Sequence, residues 1–244
     1  MEQDVRLGTT LKAAVLAGLL AGLLVAGFHF AITELVIDRA ITLEEAMNPS
    51  TAGEIEPVVS RPVQRAGLFL GYLMIGLSWS LLFAVAFHLL QRRLPATGAA
   101  RRGLVLALAA YWAVALLPFL KYPANPPGVG DPETISYRGG LYLAILVLGI
   151  ATSALAVGFG HWIKQILPRA WAPWAAGMSV AMISGVLLVA VMPPSPDPVR
   201  MPEWVVTSFR ALSLVGSTLF WMIMGTAFAF LVTRLNGRPS RGAV

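Results

Sequence analysis

The sequence contains no cysteine and only three histidines. Without cysteine the chain forms no disulfide and has no thiolate metal site or thiol redox chemistry. Three histidines are too few for a histidine-rich metal cage within one chain. Charged residues are also scarce, at 12% of the chain, whereas a soluble domain carries about 25%. This low charge content argues against a soluble domain.

Sequence patterns of several enzyme classes are missing as well. The chain has no GxxxxGK[ST] pattern, so it does not hydrolyse ATP with a P-loop. It also lacks HExxH, GxSxG and Cys/His zinc spacing, which mark common hydrolases and zinc sites. We therefore predict that the protein is not an enzyme.

What the chain does have is apolar length, since 57% of its residues are hydrophobic. A membrane-spanning helix needs about 20 apolar residues. Six runs qualify, and they leave three longer polar segments at 34–65, 121–138 and 193–207. We predict an all-α integral membrane protein with one membrane domain over residues 1–244. Its spans lie at about 11–33, 66–90, 103–120, 139–163, 171–192 and 208–235.

The distribution of basic residues predicts the orientation of the six spans. If the N-terminus is cytoplasmic, the cytoplasmic segments hold 11 basic and 2 acidic residues, and the outer segments hold 7 and 10. Lys and Arg concentrate on the cytoplasmic side of membrane proteins. Both termini are therefore predicted to be cytoplasmic. The excess of basic residues reflects this topology and does not indicate a nucleic-acid partner.

The outer segments resemble one another where they lead into the next span. The second ends PETISYR, the third ends PEWVVTSFR, and the first ends SRPVQR. This similarity predicts three similar helical hairpins, since internal repeats are common in transporters. In the alternative interpretation, an arginine simply marks a helix end near lipid head groups.

Small residues four apart predict where helices pack closely. Such spacing lets two helix backbones approach each other, which matters because lipid gives no hydrophobic drive for helix association. Two spans carry this pattern: Ala14, Gly18, Gly22 and Ala26 on the first, and Gly67 and Gly71 on the second.

Three acidic residues form a candidate cation site where the first span ends. Glu34, Asp38 and Glu45 fall on one face if the helix continues past the membrane. Carboxylate oxygens on one face attract divalent cations. In the alternative interpretation the face is simply solvated, or its acids pair with Arg39 or Arg65.

His29 is an ionisable residue within the first span, and such residues mark functional sites by default. On a regular helix it lies about 140° from Glu34, so the two would not bind one ion without a break in the helix. His29 is therefore expected to face a pore or to bond a neighbouring helix. With the three acids it completes our candidate set of metal ligands.

The segment 118–138, PFLKYPANPPGVGDPETISYR, is a proline-rich loop between two apolar runs. Proline restricts the backbone and lowers the entropy cost of holding one shape, which suits a lid or a partner-docking surface. We predict contacts with a partner or substrate for seven residues in or near this loop: Lys121, Tyr122, Asn125, Asp131, Glu133, Arg138 and Arg210.

This loop resembles the signature of the CbtA family of predicted cobalt-transporter subunits. Three further stretches agree: AAVLAGLLAGLLVAGFHF near the start, SRPVQR at 60–65, and FRALSLVGSTLFWMIMG near the end. The third outer segment, VMPPSPDPVRMPEW, departs from the Leu-Pro, acid and Pro pattern expected there. The resemblance implies a component of bacterial cobalt uptake that lies in the inner membrane and is linked with cobalamin synthesis. Such a component would transport Co²⁺ and have no covalently bound cofactor.

The resemblance also implies a partner, CbtB, a small single-span protein with a histidine-rich motif. Such a partner would supply the imidazoles that Co²⁺ favours. Membrane lipids and a second copy of the chain are further expected partners. Two other functions stay open at this point. One is a non-transporting assembly subunit of a larger membrane complex; the other is an enzyme acting on a lipid or prenyl substrate held by Lys121 and Arg138.

Overall fold

The computed structural model describes residues 4–47, 59–94, 96–127, 129–197, 199 and 201–236, and these residues form helices without a strand. Short 3₁₀ and π-helical turns join some of the helices. The eight α-helices are α1 (Leu7–Phe28), α2 (Glu34–Met47), α3 (Arg61–Leu90), α4 (Ala99–Tyr111), α5 (Leu117–Lys121), α6 (Ile135–Ile166), α7 (Ala172–Val191) and α8 (Glu203–Asn236).

Among the described residues, six helical segments are long and apolar enough to cross a membrane, which confirms the predicted class. They run over Leu7–Ala46, Arg61–Leu90, Ala99–Lys121, Pro132–Ile166, Ala172–Val191 and Glu203–Asn236. The first is longer than the predicted span because α2 continues α1 into the segment 34–65, which was predicted as a loop. Its residues ELVIDRAITLEEAM hold no Gly or Pro, so nothing in that sequence stops the helix.

Helix α1 lies at the centre of one half of the molecule, where it packs against α3 and α8. The buried face of α1 consists mostly of Ala and Gly, including the four predicted small residues. Near one end of this half, Phe83 and Phe87 of α3 meet Phe228 of α8 with ring centroids 4.9 Å apart. The core thus combines the small side chains of α1 with large aromatic side chains from the neighbouring helices.

The closest approach between α1 and α3 occurs at glycines. A Cβ on Gly18 would lie 2.6 Å from the Cβ of Ser80 and even closer to the carbonyl oxygen of Gly76. Gly22 lies in the same way against the carbonyl of Tyr72. The predicted small face of the first span is therefore a packing face.

The predicted small face of the second span is not such a contact. A Cβ on Gly67 or Gly71 would meet nothing within 4 Å. The glycine of α3 that contacts α1 is Gly76, which has no glycine four residues away. Gly67 and Gly71 therefore make no close helix contact with the described residues of the same chain, and the contact between two chains that their spacing also allows stays a prediction.

The other half of the molecule contains α6 and α7, which pack against each other, and the segment from α4 to α5, which packs against α6. Gly149 of α6 contacts the backbone of Ala113, and Gly160 of α6 faces the carbonyl of Pro173. Helix α7 is the most exposed span, with 6% of its apolar window buried. Helices α4 and α8 pack against each other and join the two halves.

Two of the spans contain a π-helical turn. One covers His29–Thr33, between α1 and α2, and the other covers Trp112–Leu116, between α4 and α5. The second precedes Pro118, which has no backbone N–H to donate to a carbonyl one turn earlier. Such turns are rare and frequently occur at functional sites.

Candidate substrate chamber and outer surface

A partly open chamber of about 380 Å³ lies between the helices. Its wall is formed by residues of α3, α5, α6 and α8, by the two π turns, and by the start of the proline-rich loop. The side chains are mostly aromatic, with an imidazole and several hydroxyl groups. They include His29, Tyr72, Trp79, Phe119, Tyr122, Tyr142, Ser213, Ser217, Phe220 and Trp221.

Both π turns adjoin this chamber. The first places His29 in its wall, and the second places Val114 and Ala115 there. In a π turn the hydrogen bond joins residues five apart, and accordingly the N–H of Glu34 donates to the carbonyl oxygen of His29. Glu34 therefore lies one turn along from His29. The angle of about 140° applied to a regular helix, and this π turn is a departure from regular helix of the kind that the prediction named as the exception.

His29 is held on three sides and is 7% exposed. Its Nδ1 lies 2.7 Å from the hydroxyl oxygen of Thr33. Its ring stacks on Tyr72 of α3, with centroids 5.1 Å apart and planes 18° apart. On the opposite helix α8, Gly216 has no side chain, and a Cβ there would lie 2.6 Å from the Cε1 of His29. These contacts fix the imidazole in the chamber wall.

The acids Glu34 and Asp38 form an ion-pair cluster with two arginines of α3. Arg61 donates to Glu34 and to Asp38, at 2.7 Å in each case. Arg65 pairs with Glu34 at 3.2 Å and also with Asp38. Two carboxylates thus face two guanidinium groups, and their formal charges cancel.

This cluster bears on the candidate cation site. The structure brings Glu34 and Asp38 together as expected, whereas Glu45 lies exposed two turns further along α2. In the described part of the chain, no three His, Asp or Glu side chains lie close enough together to hold one metal ion. The pairing with Arg65 was one of the alternatives, and Arg61 is the partner that sequence reasoning missed.

Lys121 and Tyr122 fasten the start of the proline-rich loop to the end of α7. The ammonium group of Lys121 donates to the carbonyl oxygen of Val189 at 2.8 Å. The hydroxyl of Tyr122 donates to the carbonyl oxygen of Pro193 at 2.7 Å. Burial, together with Tyr137, raises the pKa of the Tyr122 hydroxyl, which keeps it protonated as a donor.

The end of the loop is tied to the third outer segment. Arg138 lies 2.8 Å from a carboxylate oxygen of Asp197, and Thr134 donates to the other oxygen at 2.7 Å. Asp131 accepts from the backbone N–H of Glu133 at 2.9 Å and so caps the short helix Pro132–Thr134. Glu133 itself is exposed. The loop is thus braced against Asp197, and its role as a lid or a partner-docking surface stays a prediction.

Arg210 has a different environment from the other outer arginines. It donates to the side-chain oxygen of Asn125 at 2.8 Å, and its Nε is buried without a hydrogen-bond partner. No carboxylate among the described residues pairs with it. Asn125 is next to Ala124 of the chamber wall, and Arg210 lies one turn before Ser213 on α8. Arg210 and Asn125 are thus not part of the chamber wall themselves, but each adjoins a residue that is.

Sequence reasoning missed most of the chamber. Tyr72, Trp79 and Tyr142 are single aromatic residues in apolar runs, which is a common pattern in any membrane helix. One signal was present on α8, where Arg210, Ser213 and Ser217 follow each other at helical spacing. A polar stripe on an otherwise apolar span points to a lined cavity.

In the described part of the chain, six apolar helical segments with a partly open chamber between them define a multi-pass helical membrane protein. The chain belongs to the CbtA family, whose description is "probable cobalt transporter subunit", and the family model matches residues 7–233. No curated protein and no solved structure matches the chain. Membership of this family supports the role of a transport subunit in the membrane.

Proposed function

We propose that this chain is the membrane-embedded subunit of a bacterial inner-membrane cobalt importer that works with a small histidine-rich, single-span partner of the CbtB type. The chamber carries this proposal, because both π turns and the intramembrane His29 meet at it. Ionisable residues within a span mark substrate pathways. The importing direction rests on the resemblance of the sequence to components of cobalt uptake, and the cytoplasmic termini rest on its charge asymmetry.

The partner supplies the ligands that this chain does not group together. Co²⁺ favours imidazole nitrogen, and the described residues offer no cluster of three potential ligands. His29 is a single imidazole in the chamber wall. In the proposal, cobalt passes from the chamber to the histidine-rich motif of the partner or arrives from it.

The roles of the outer acids stay predictions. Glu34 and Asp38, with Glu45 further out, would attract cations towards the mouth if the arginines of α3 released them. Paired as they are with Arg61 and Arg65, they also fasten α2 to α3. The braced loop with Lys121, Asp131, Glu133 and Arg138 is the proposed docking surface for the partner.

Uptake of radioactive cobalt into proteoliposomes tests this function. The chain would be reconstituted alone and together with the histidine-rich partner, and uptake is expected only with both. His29→Gln should lower uptake about 10- to 100-fold, the usual effect of losing a group that orients a metal ligand. His161→Gln, at the far end of α6, is the matched control. Equal uptake by the His29 variant and the parent would remove His29 from the path.

A second candidate function is favoured by the exposure of α7. A span with 6% of its apolar window buried offers a long apolar face to another membrane protein or to a second copy of the chain. In this alternative the chain is an assembly subunit without transport activity. It predicts co-purification with a larger complex and no cobalt flux in liposomes under any of the conditions above.

A further inference from the structure

We infer that the chamber accepts cobalt as a chelate with a small, carboxylate-bearing organic ligand, and not as the bare hydrated dication. The inference rests on the proposed function and concerns the chemical form of the substrate. Three properties of the described residues lead to it: the lining of the chamber, the charge at its edge, and its size.

The lining does not compensate a divalent charge. Aromatic rings and hydroxyl groups dominate the wall, His29 is its single imidazole, and no Asp or Glu among the described residues lines it. Moving an ion from water into a low-dielectric site costs many kcal/mol unless opposite charge or coordinating groups replace the water. A chelate brings its own charge compensation and needs only weak polar contacts. Rings such as Tyr72 and Trp221 also suit the flat groups of an organic ligand.

The charge at the edge of the chamber favours an anionic group. Arg210 has no carboxylate partner within the described residues, and its buried Nε has no hydrogen-bond acceptor. The nearby acids Glu34 and Asp38 are neutralised by two arginines. A guanidinium group repels a free dication but binds a carboxylate through two parallel hydrogen bonds. Arg210 is therefore the residue that we expect to recognise the ligand of the chelate.

The size of the chamber fits an organic complex. Its volume of about 380 Å³ lies within the roughly 300–1,000 Å³ that is typical of small-molecule sites. A cation with six waters, at about 30 Å³ each, would fill roughly half of it. A metal with one or two amino-acid-sized ligands would occupy more of the chamber, and we expect such a complex to extend to Arg210.

The test compares two forms of cobalt on the full-length protein with its partner. The probes are radioactive Co²⁺ in a non-coordinating buffer and the same Co²⁺ with two equivalents of L-histidine, which form an uncharged complex with carboxylate groups. Equilibrium dialysis in detergent measures binding, and proteoliposomes measure uptake. We expect the chelate to bind at least tenfold more tightly than Co²⁺ alone, and unlabelled L-histidine without metal not to compete.

Arg210 variants test the recognition. Arg210→Gln should weaken chelate binding about tenfold and leave binding of bare Co²⁺ unchanged. Arg210→Lys keeps the positive charge but cannot form two parallel hydrogen bonds to a carboxylate, so it should have an intermediate effect. Arg39→Gln, at an exposed arginine of α2, is the control. The lysine variant also keeps the test decisive if the glutamine variant does not fold.

The outcomes separate the two proposals. Uptake of bare Co²⁺ that histidine does not improve, with equal binding of both forms, overturns the chelate and leaves the importer standing. Chelate binding that depends on Arg210, without uptake in liposomes, supports the chelate and removes the importer. Competition by metal-free histidine overturns the inference, because the site would then recognise the organic molecule alone.

Discussion

Replacing Gly18 by alanine tests the contact on which one half of the fold depends. The new Cβ would lie 2.6 Å from the Cβ of Ser80, and ordinary contacts begin at 3.4 Å. It would also press on the carbonyl of Gly76, which is backbone and cannot rotate away. The helices α1 and α3 would therefore have to separate by roughly 1 Å, which weakens a substantial part of the dispersion energy along their contact.

The expected magnitude comes from two opposing terms. Overpacking a close contact costs about 1–3 kcal/mol, while alanine gains up to about 1 kcal/mol over glycine within a helix. Gly18→Ala should therefore destabilise the protein by about 1–2 kcal/mol. Gly27, on the same helix, has nothing within 4 Å of the position of a Cβ. Gly27→Ala should be neutral or stabilising by up to about 1 kcal/mol.

Unfolding in mixed detergent micelles, followed by circular dichroism, measures both variants against the parent. The reasoning requires free energies of unfolding that change in opposite directions, or at least differ by more than about 1 kcal/mol. If Gly18→Ala were as stable as Gly27→Ala, α1 and α3 would not approach each other as closely as the structure has it. The assay needs no transport activity, so it tests the fold independently of the proposed function.

Two further predictions concern the site. Arg61→Gln leaves the nearly buried carboxylate of Glu34 with a single guanidinium partner, so it should destabilise the protein by about 1–2 kcal/mol after allowance for partial exposure. The control Arg39→Gln should change stability by less than about 0.5 kcal/mol. Equal losses of stability in denaturant unfolding would refute the role of the ion-pair cluster. Gly216→Ala would push His29 out of its position, so cobalt uptake should fall as far as in the His29 variants, whereas Gly158→Ala, with open space around it, should transport normally.

The six spans could be predicted because each is a local property of the sequence. About 20 apolar residues in a row are enough to indicate a membrane helix, whatever the rest of the chain does. The end of the first helix could not be found in this way, because α2 mixes polar and apolar residues and is not an apolar run. Hydropathy identifies residues that suit lipid and not residues that form a helix. The predicted span therefore ended where the charged residues Glu34 and Asp38 begin.

The chamber could not be predicted because it depends on departures from regular structure and on contacts between distant residues. The π turn at His29–Thr33 changes which residues share a face, and a calculation at 100° per residue cannot include it. The space for the imidazole comes from Gly216, which is 187 residues away in the sequence. A single glycine in an apolar span carries no sign of the side chain that it accommodates.

The three arginines that precede the even-numbered spans show how similar motifs acquire different roles. Arg65 is paired with both acids of its cluster, and Arg138 is paired with Asp197. Arg210, at the corresponding position of the third motif, has only the neutral side chain of Asn125 as a partner among the described residues. A partly buried guanidinium without a counter-ion is costly unless an anion arrives to bind it. Two of these arginines are thus paired with carboxylates, and Arg210 is the one that we propose for binding a ligand.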